Sequence, residues 1–75
     1  MNLKYSITVH AYECPITLEI MKDPVKTIYG HRYERKNIIN WIKANGTCPL
    51  TRKPLRESDI KEDPEFALKV LEYLQ

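Results

Sequence analysis

Residues 14–25 read Cys14-Pro15-Ile16-Thr17-Leu18-Glu19-Ile20-Met21-Lys22-Asp23-Pro24-Val25, and the opening of that run is echoed further on as Cys48-Pro49-Leu50-Thr51. Pro15 and Pro24 each fix φ and remove a backbone donor, so no long helix fits across the first segment. Apolar Ile16, Leu18, Ile20, Met21 and Val25 are nevertheless spread through it, so the loop must pack or bind something. Cys14 and Cys48 are the only cysteines, enough for one bridge. Where a zinc finger or ribbon would repeat its cysteine, each segment carries Thr. Threonine is a poor ligand for zinc, which takes thiolate, imidazole or carboxylate. The leading reading is two buried structural cysteines; a disulfide, a reactive thiol and a bound metal are its alternatives.

Outward from this segment, Val25-Lys26-Thr27-Ile28-Tyr29 is rich in β-branched and aromatic residues. With a turn at Gly30-His31 and a return along Arg32-Tyr33, it predicts a β-hairpin. Arg35 to Ala44 predicts a helix with Ile38, Ile39, Trp41 and Ile42 on one side, stopped by Asn45-Gly46. Residues 47–61 read as a second loop, broken by Pro49 and Pro54. A second helix is expected from Asp63 as N-cap with Pro64 in the first helical position. Ala67, Leu68, Leu71 and Leu74, with Val70 beside them, form its expected apolar stripe. Upstream, Ser6-Ile7-Thr8-Val9-His10-Ala11 alternates weakly and fits a short strand or an extended arm equally. Residues 1–12 are assigned to that arm and residues 13–75 to the domain.

Seventy-five residues suffice for one small domain with a thin core, not for a two-halved nucleotide-binding fold or a barrel. The chain is 43% hydrophobic and 29% charged, a globular rather than a disordered composition. A net charge of +2, with basic and acidic residues interspersed, gives no footprint for nucleic acid. No stretch approaches the roughly 18 apolar residues of a membrane span, and no signal-type apolar run follows Met1. The expectation is a soluble domain with neither nucleic acid nor membrane as a partner.

The ordered segments resemble a U-box. Cys14 to Val25 is similar to that family's opening, Gly30-His31-Arg32-Tyr33-Glu34-Arg35-Lys36-Asn37-Ile38 and Trp41-Ile42 continue the likeness, and Cys48 to Leu55 with Pro64 closes it. The likeness covers residues 13–74. It implies an α+β, RING-like fold in which two loops surround a small β-hairpin and a central helix, followed by a C-terminal helix, with no metal and no cofactor. Laid on the ligand pattern of a RING, one vestigial site would fall to Cys14, Thr17, Glu34 and Asn37, the other to Tyr29, His31, Cys48 and Thr51. Neither set offers four competent ligands, so hydrogen bonds, ion pairs and packing must replace the metal, with Arg35 as a partner for Glu19 or Asp23. Two positions depart from the family: Tyr29 where an acidic residue often precedes the hairpin glycine, and Glu65 where Asn often follows the proline. Both bear on turn and cap details.

The function this implies is that of an E3 ubiquitin ligase module, which binds an E2 conjugating enzyme charged with ubiquitin and promotes transfer to a lysine of a protein substrate without a covalent intermediate of its own. Carried over by position, Ile16 and Leu18, Trp41, Pro49 and Arg52 form the E2 surface, with Trp41 divided between core and interface. Arg52 falls where the family has a cationic linchpin contacting both E2 and ubiquitin, and its planar five-donor fork suits that task. His31 is expected to close the hairpin; His10 lies outside the likeness. The rivals are a U-box scaffold without productive E2 contact, which would not need Arg52, a thiol enzyme using Cys14 or Cys48, and a nucleic-acid module. A dimer stays open, as does the substrate. The compartment implied is the cytoplasm or nucleus of a eukaryotic cell, or the host cytosol for a pathogen effector.

Overall fold

The computed structural model describes residues 11–75. Most of the expected N-terminal arm, His10 included, lies outside the described residues. Two helices and a three-stranded antiparallel sheet follow in the order β1 (Pro24–Thr27), β2 (Arg32–Glu34), α1 (Arg35–Asn45), a 3-10 turn (Glu57–Asp59), β3 (Ile60–Glu62) and α2 (Pro64–Leu74). The hairpin forms where β-branched density predicts it, but its first strand begins at Pro24 and stops at Thr27. The reason for the early stop is the turn. Thr27 C=O accepts from Gly30 N–H at 2.9 Å, Thr27 N–H donates to His31 C=O at 2.9 Å, and Gly30 takes φ +86°, a conformation glycine adopts without steric cost.

The strand order is β2-β1-β3, so the hairpin's first strand is the centre of the sheet. Its second neighbour departs from the loop expected over residues 47–61: Ile60–Glu62 pairs with β1 in the register Val25↔Glu62, Lys26↔Lys61, Thr27↔Ile60. A three-residue strand with one apolar side chain carries almost no local signal, and only a partner remote in sequence defines it.

Helix α1 runs as expected and ends on Gly46, whose φ of 65° lets its N–H return to Ile42 C=O at 2.7 Å. Ile38 and Ile42, one turn apart, are buried, while Ile39 and Trp41 are half-buried on the flanks. In α2 the expected stripe is displaced. Phe66 and Val70 are buried, whereas Leu68, Leu71 and Leu74 are more than half exposed. The aromatic contacts explain the rotation: Tyr12 stacks obliquely on Phe66 at 5.7 Å and on Tyr73 at 4.9 Å, turning the aromatic side of the helix inward. Asp63 does precede the helix, but its carboxylate makes no cap bond and instead accepts from Arg32 Nε at 2.6 Å.

The core is one cluster formed by Cys14, Met21, Val25, Tyr33, Ile38, Ile42, Cys48, Leu55, Phe66 and Val70. Both cysteines are buried free thiols. Among the described residues no group of three or more His, Cys, Asp or Glu side chains could hold a metal ion, and no helix is long and apolar enough to cross a membrane.

Candidate partner-binding site

The two Cys-Pro-aliphatic-Thr segments fold into the same loop. In the first, Leu18 N–H returns to Cys14 C=O at 2.8 Å and Cys14 N–H donates to Glu19 C=O at 2.8 Å. In the second, Arg52 N–H returns to Cys48 C=O and Cys48 N–H donates to Lys53 C=O, each again at 2.8 Å. Thr17 Oγ accepts from Glu19 N–H at 3.1 Å, and Thr51 Oγ accepts from Lys53 N–H at 3.3 Å. These threonines therefore close their own turns, a role that short hydroxyl side chains fill well. Isolated bridges between Glu13 and Ile20 and between Thr47 and Pro54 clamp the bases of the two loops.

Each loop returns through one residue in the left-handed region, Leu18 at φ 61° and Arg52 at φ 65°. Neither is a glycine, and a side chain there is strained. Leu18 is 72% exposed, so its side chain recovers none of that cost by packing. Arg52 is exposed at the equivalent point of the second loop. Exposed side chains held on strained backbone in twin loops make these loops the candidate site. Ile16 and Trp41 are half-buried and pack against the common core, and Pro49 is half-buried beside Cys48 in sequence. Trp41 Nε1 is buried without a hydrogen-bond partner. Leu50, the twin of Ile16, is 55% exposed and was passed over in the sequence reading; its equivalence to Ile16 in the repeated tetrapeptide is the signal that finds it.

The buried ends of both loops are tied to β2. Cys14 Sγ accepts from Glu34 N–H at 3.3 Å, and the Glu34 carboxylate accepts from Lys22 N–H at 2.9 Å and Asp23 N–H at 2.8 Å. Thr17, Glu34 and Asn37 line one groove between the first loop and the start of α1. Arg35 pairs with Asp23, not Glu19, through Nε at 2.7 Å, and reaches Glu62 on β3 at 2.6 Å. That pairing holds the Glu62 carboxyl below its ordinary value.

At the second loop, Cys48 Sγ lies 3.7 Å from both His31 Nδ1 and Tyr33 Oη. Burial by itself would push this thiol up; hydrogen bonds from the Thr51 side chain and backbone, then from Tyr33 and His31, outweigh it and bring Cys48 down to about 6. Burial, followed by the bond to Cys48, drives the Tyr33 phenol above its ordinary value. Tyr33 belongs to this cluster although sequence reading gave it only a strand position. Tyr29 packs against the core. Its hydroxyl donates to Pro54 C=O at 2.6 Å and so pins the far end of the loop.

The site is thus a pair of equivalent loops on a small α+β domain, each projecting an exposed side chain from left-handed backbone and held by a hydrogen-bonded frame. The family model for the U-box domain matches residues 10–75, and the chain belongs to the U-box family. It is similar to U-box domain-containing protein 25 of Arabidopsis thaliana, 41% identical over 73 residues, which covers 95% of this chain and 17% of that protein. E3 ubiquitin-protein ligase PUB24 of the same organism is 55% identical over 42 residues, 56% of this chain and 9% of that protein. U-box domain-containing protein 12 of Oryza sativa subsp. japonica is 43% identical over 61 residues, 80% of this chain and 10% of that protein. The chain thus spans less than a fifth of the length of these relatives.

Proposed function

We propose that this domain is the E2-engaging module of a U-box E3 ubiquitin ligase. The observation that carries the reading is the pair of twin loops, each presenting an exposed side chain from left-handed backbone, Leu18 on one and Arg52 on the other. A relative named as an E3 ubiquitin-protein ligase supports it. Ile16, Leu18, Trp41 and Pro49 supply the aliphatic and aromatic anchors of a small interface, a composition common in binding hot spots.

The chemistry belongs to the conjugate. A substrate lysine amine attacks the carbonyl carbon of the E2–ubiquitin thioester, an isopeptide bond forms, and the E2 cysteine leaves as a thiolate. The domain contributes restraint, holding a mobile conjugate where the amine can reach the carbonyl. Arg52 donates from its fixed fork to E2 and ubiquitin together and so favours the closed conjugate. Cys14 and Cys48 have no exposed surface and take no part as nucleophiles.

The test separates binding from discharge. Arg52→Ala should bind E2 within about threefold of wild type yet slow lysine discharge by about tenfold or more, as expected where an interaction acts mainly on the reactive geometry. Equal discharge rates for variant and wild type would remove Arg52 from this role.

A further inference from the structure

The sheet carries a row of like charges that the E2 face does not use. Arg32, Lys26 and Lys61 are direct neighbours in register across β2, β1 and β3, so their side chains leave the same face. Like charges directly opposite each other destabilise a sheet. Arg32 is compensated: it pairs with Asp63 at 2.6 Å and lies over the Phe66 ring at 4.2 Å. Lys26 and Lys61 make no ion pair among the described residues, and residues 1–10 contain no Asp or Glu that could supply one. The two nearby carboxylates are already engaged, Asp63 by Arg32 and Glu62 by Arg35, and Asp63 also attracts Lys26 through space without pairing with it. A groove of about 610 Å³ opens at this place, lined by both lysines, by Glu62 and Asp63, and by the turn after β1. Ile28, in the turn directly after β1, lines the same groove, is 51% exposed, and is anchored by its N–H bond to Asp59 C=O at 3.1 Å.

We propose that this groove docks a short acidic peptide segment of a partner protein, with one carboxylate between Lys26 and Lys61 and a neighbouring aliphatic side chain against Ile28. Charge complementarity selects the occupant. A carboxylate placed between the ammonium groups eases a repulsion that Asp63 offsets only through space and only at Lys26. Glu62, Asp63 and Asp59 border the site closely, so a long polyanion such as nucleic acid or an anionic membrane would meet repulsion on either side of the lysines. The surface contains none of Ile16, Leu18, Trp41, Pro49 or Arg52, so the peptide would contact residues other than those proposed for E2.

The experiment is a titration of the ¹⁵N-labelled chain with a terminally blocked peptide in which glutamate alternates with leucine and threonine, followed by amide shifts. Shifts centred on Lys26, Ile28 and Lys61, with a dissociation constant of about 100 μM, are expected for two exposed charge contacts and one apolar contact. The double variant Lys26→Gln, Lys61→Gln should bind about tenfold more weakly and melt no lower than wild type, since it relieves the repulsion. The same peptide with glutamine for glutamate should bind about tenfold more weakly as well, and about 0.5 M NaCl should reproduce that loss. Shifts mapping elsewhere, unchanged affinity in the double variant, equal binding of the glutamine peptide, or tighter binding of anionic vesicles or RNA at the same amides would each overturn the proposal.

Discussion

Leu18 and Arg52 occupy backbone conformations that their side chains disfavour, and in neither case does burial offset the strain. Leu18→Asn tests this directly, because asparagine tolerates the left-handed region better than leucine. It should leave stability unchanged or raise it by up to about 1 kcal/mol, while weakening E2 binding about tenfold. A melting temperature several degrees lower would show that Leu18 is a packing residue. Cys48 offers a second test at this scale. Its thiol is lowered from an ordinary 9.0 to about 6 in the folded chain. A depressed native value contributes stability that is fully present above about 9 and is lost as the pH falls through 6. Unfolding followed across this window should therefore show stability rising with pH, and Cys48→Ala should flatten that slope even though it is less stable throughout. An unchanged slope in Cys48→Ala would show that other groups set it.

At the scale of elements, the repeated Cys-Pro-aliphatic-Thr segment is legible as a pair of loops, whereas the bond by which each threonine closes its own turn is a finding of the structure. The hairpin and α1 were legible as well, their signals being local periodicity and a glycine stop. What escaped was non-local. β3 exists only through its pairing with β1, and the inward face of α2 is chosen by Tyr12 from the other end of the domain rather than by the leucines of the helix. Tyr29 falls in the second vestigial ligand set by the U-box likeness, and its hydroxyl bonds Pro54 C=O on the second loop, a contact 25 residues away that no local pattern announces. Tyr29→Phe should therefore cost about 1 kcal/mol, the usual net worth of one such hydrogen bond, and speed amide exchange in residues 47–55 ahead of the first loop. Equal exchange in both loops would place the tether elsewhere.

Across the whole molecule, the two loops, β2 and the start of α1 are joined through Cys14, Glu34, His31, Tyr33 and Cys48, with Arg35 linking Asp23 to β3. The residues proposed to face E2 come from the U-box likeness, and the structure gives their physical setting: exposure and backbone strain for Leu18 and Arg52, half-burial for Ile16, Trp41 and Pro49. No composition or periodicity in the sequence distinguishes Ile16, Leu18, Trp41 and Pro49 from core residues, since apolar anchors serve both ends equally. Lysine discharge from a panel of ubiquitin-charged E2 enzymes, measured in EDTA with and without the chain, bears most directly on the ligase function. Acceleration that survives EDTA and falls at least about tenfold with Ile16→Ala is the predicted result. No acceleration with any E2 by a chain shown to be folded, or activity lost in EDTA, would contradict it.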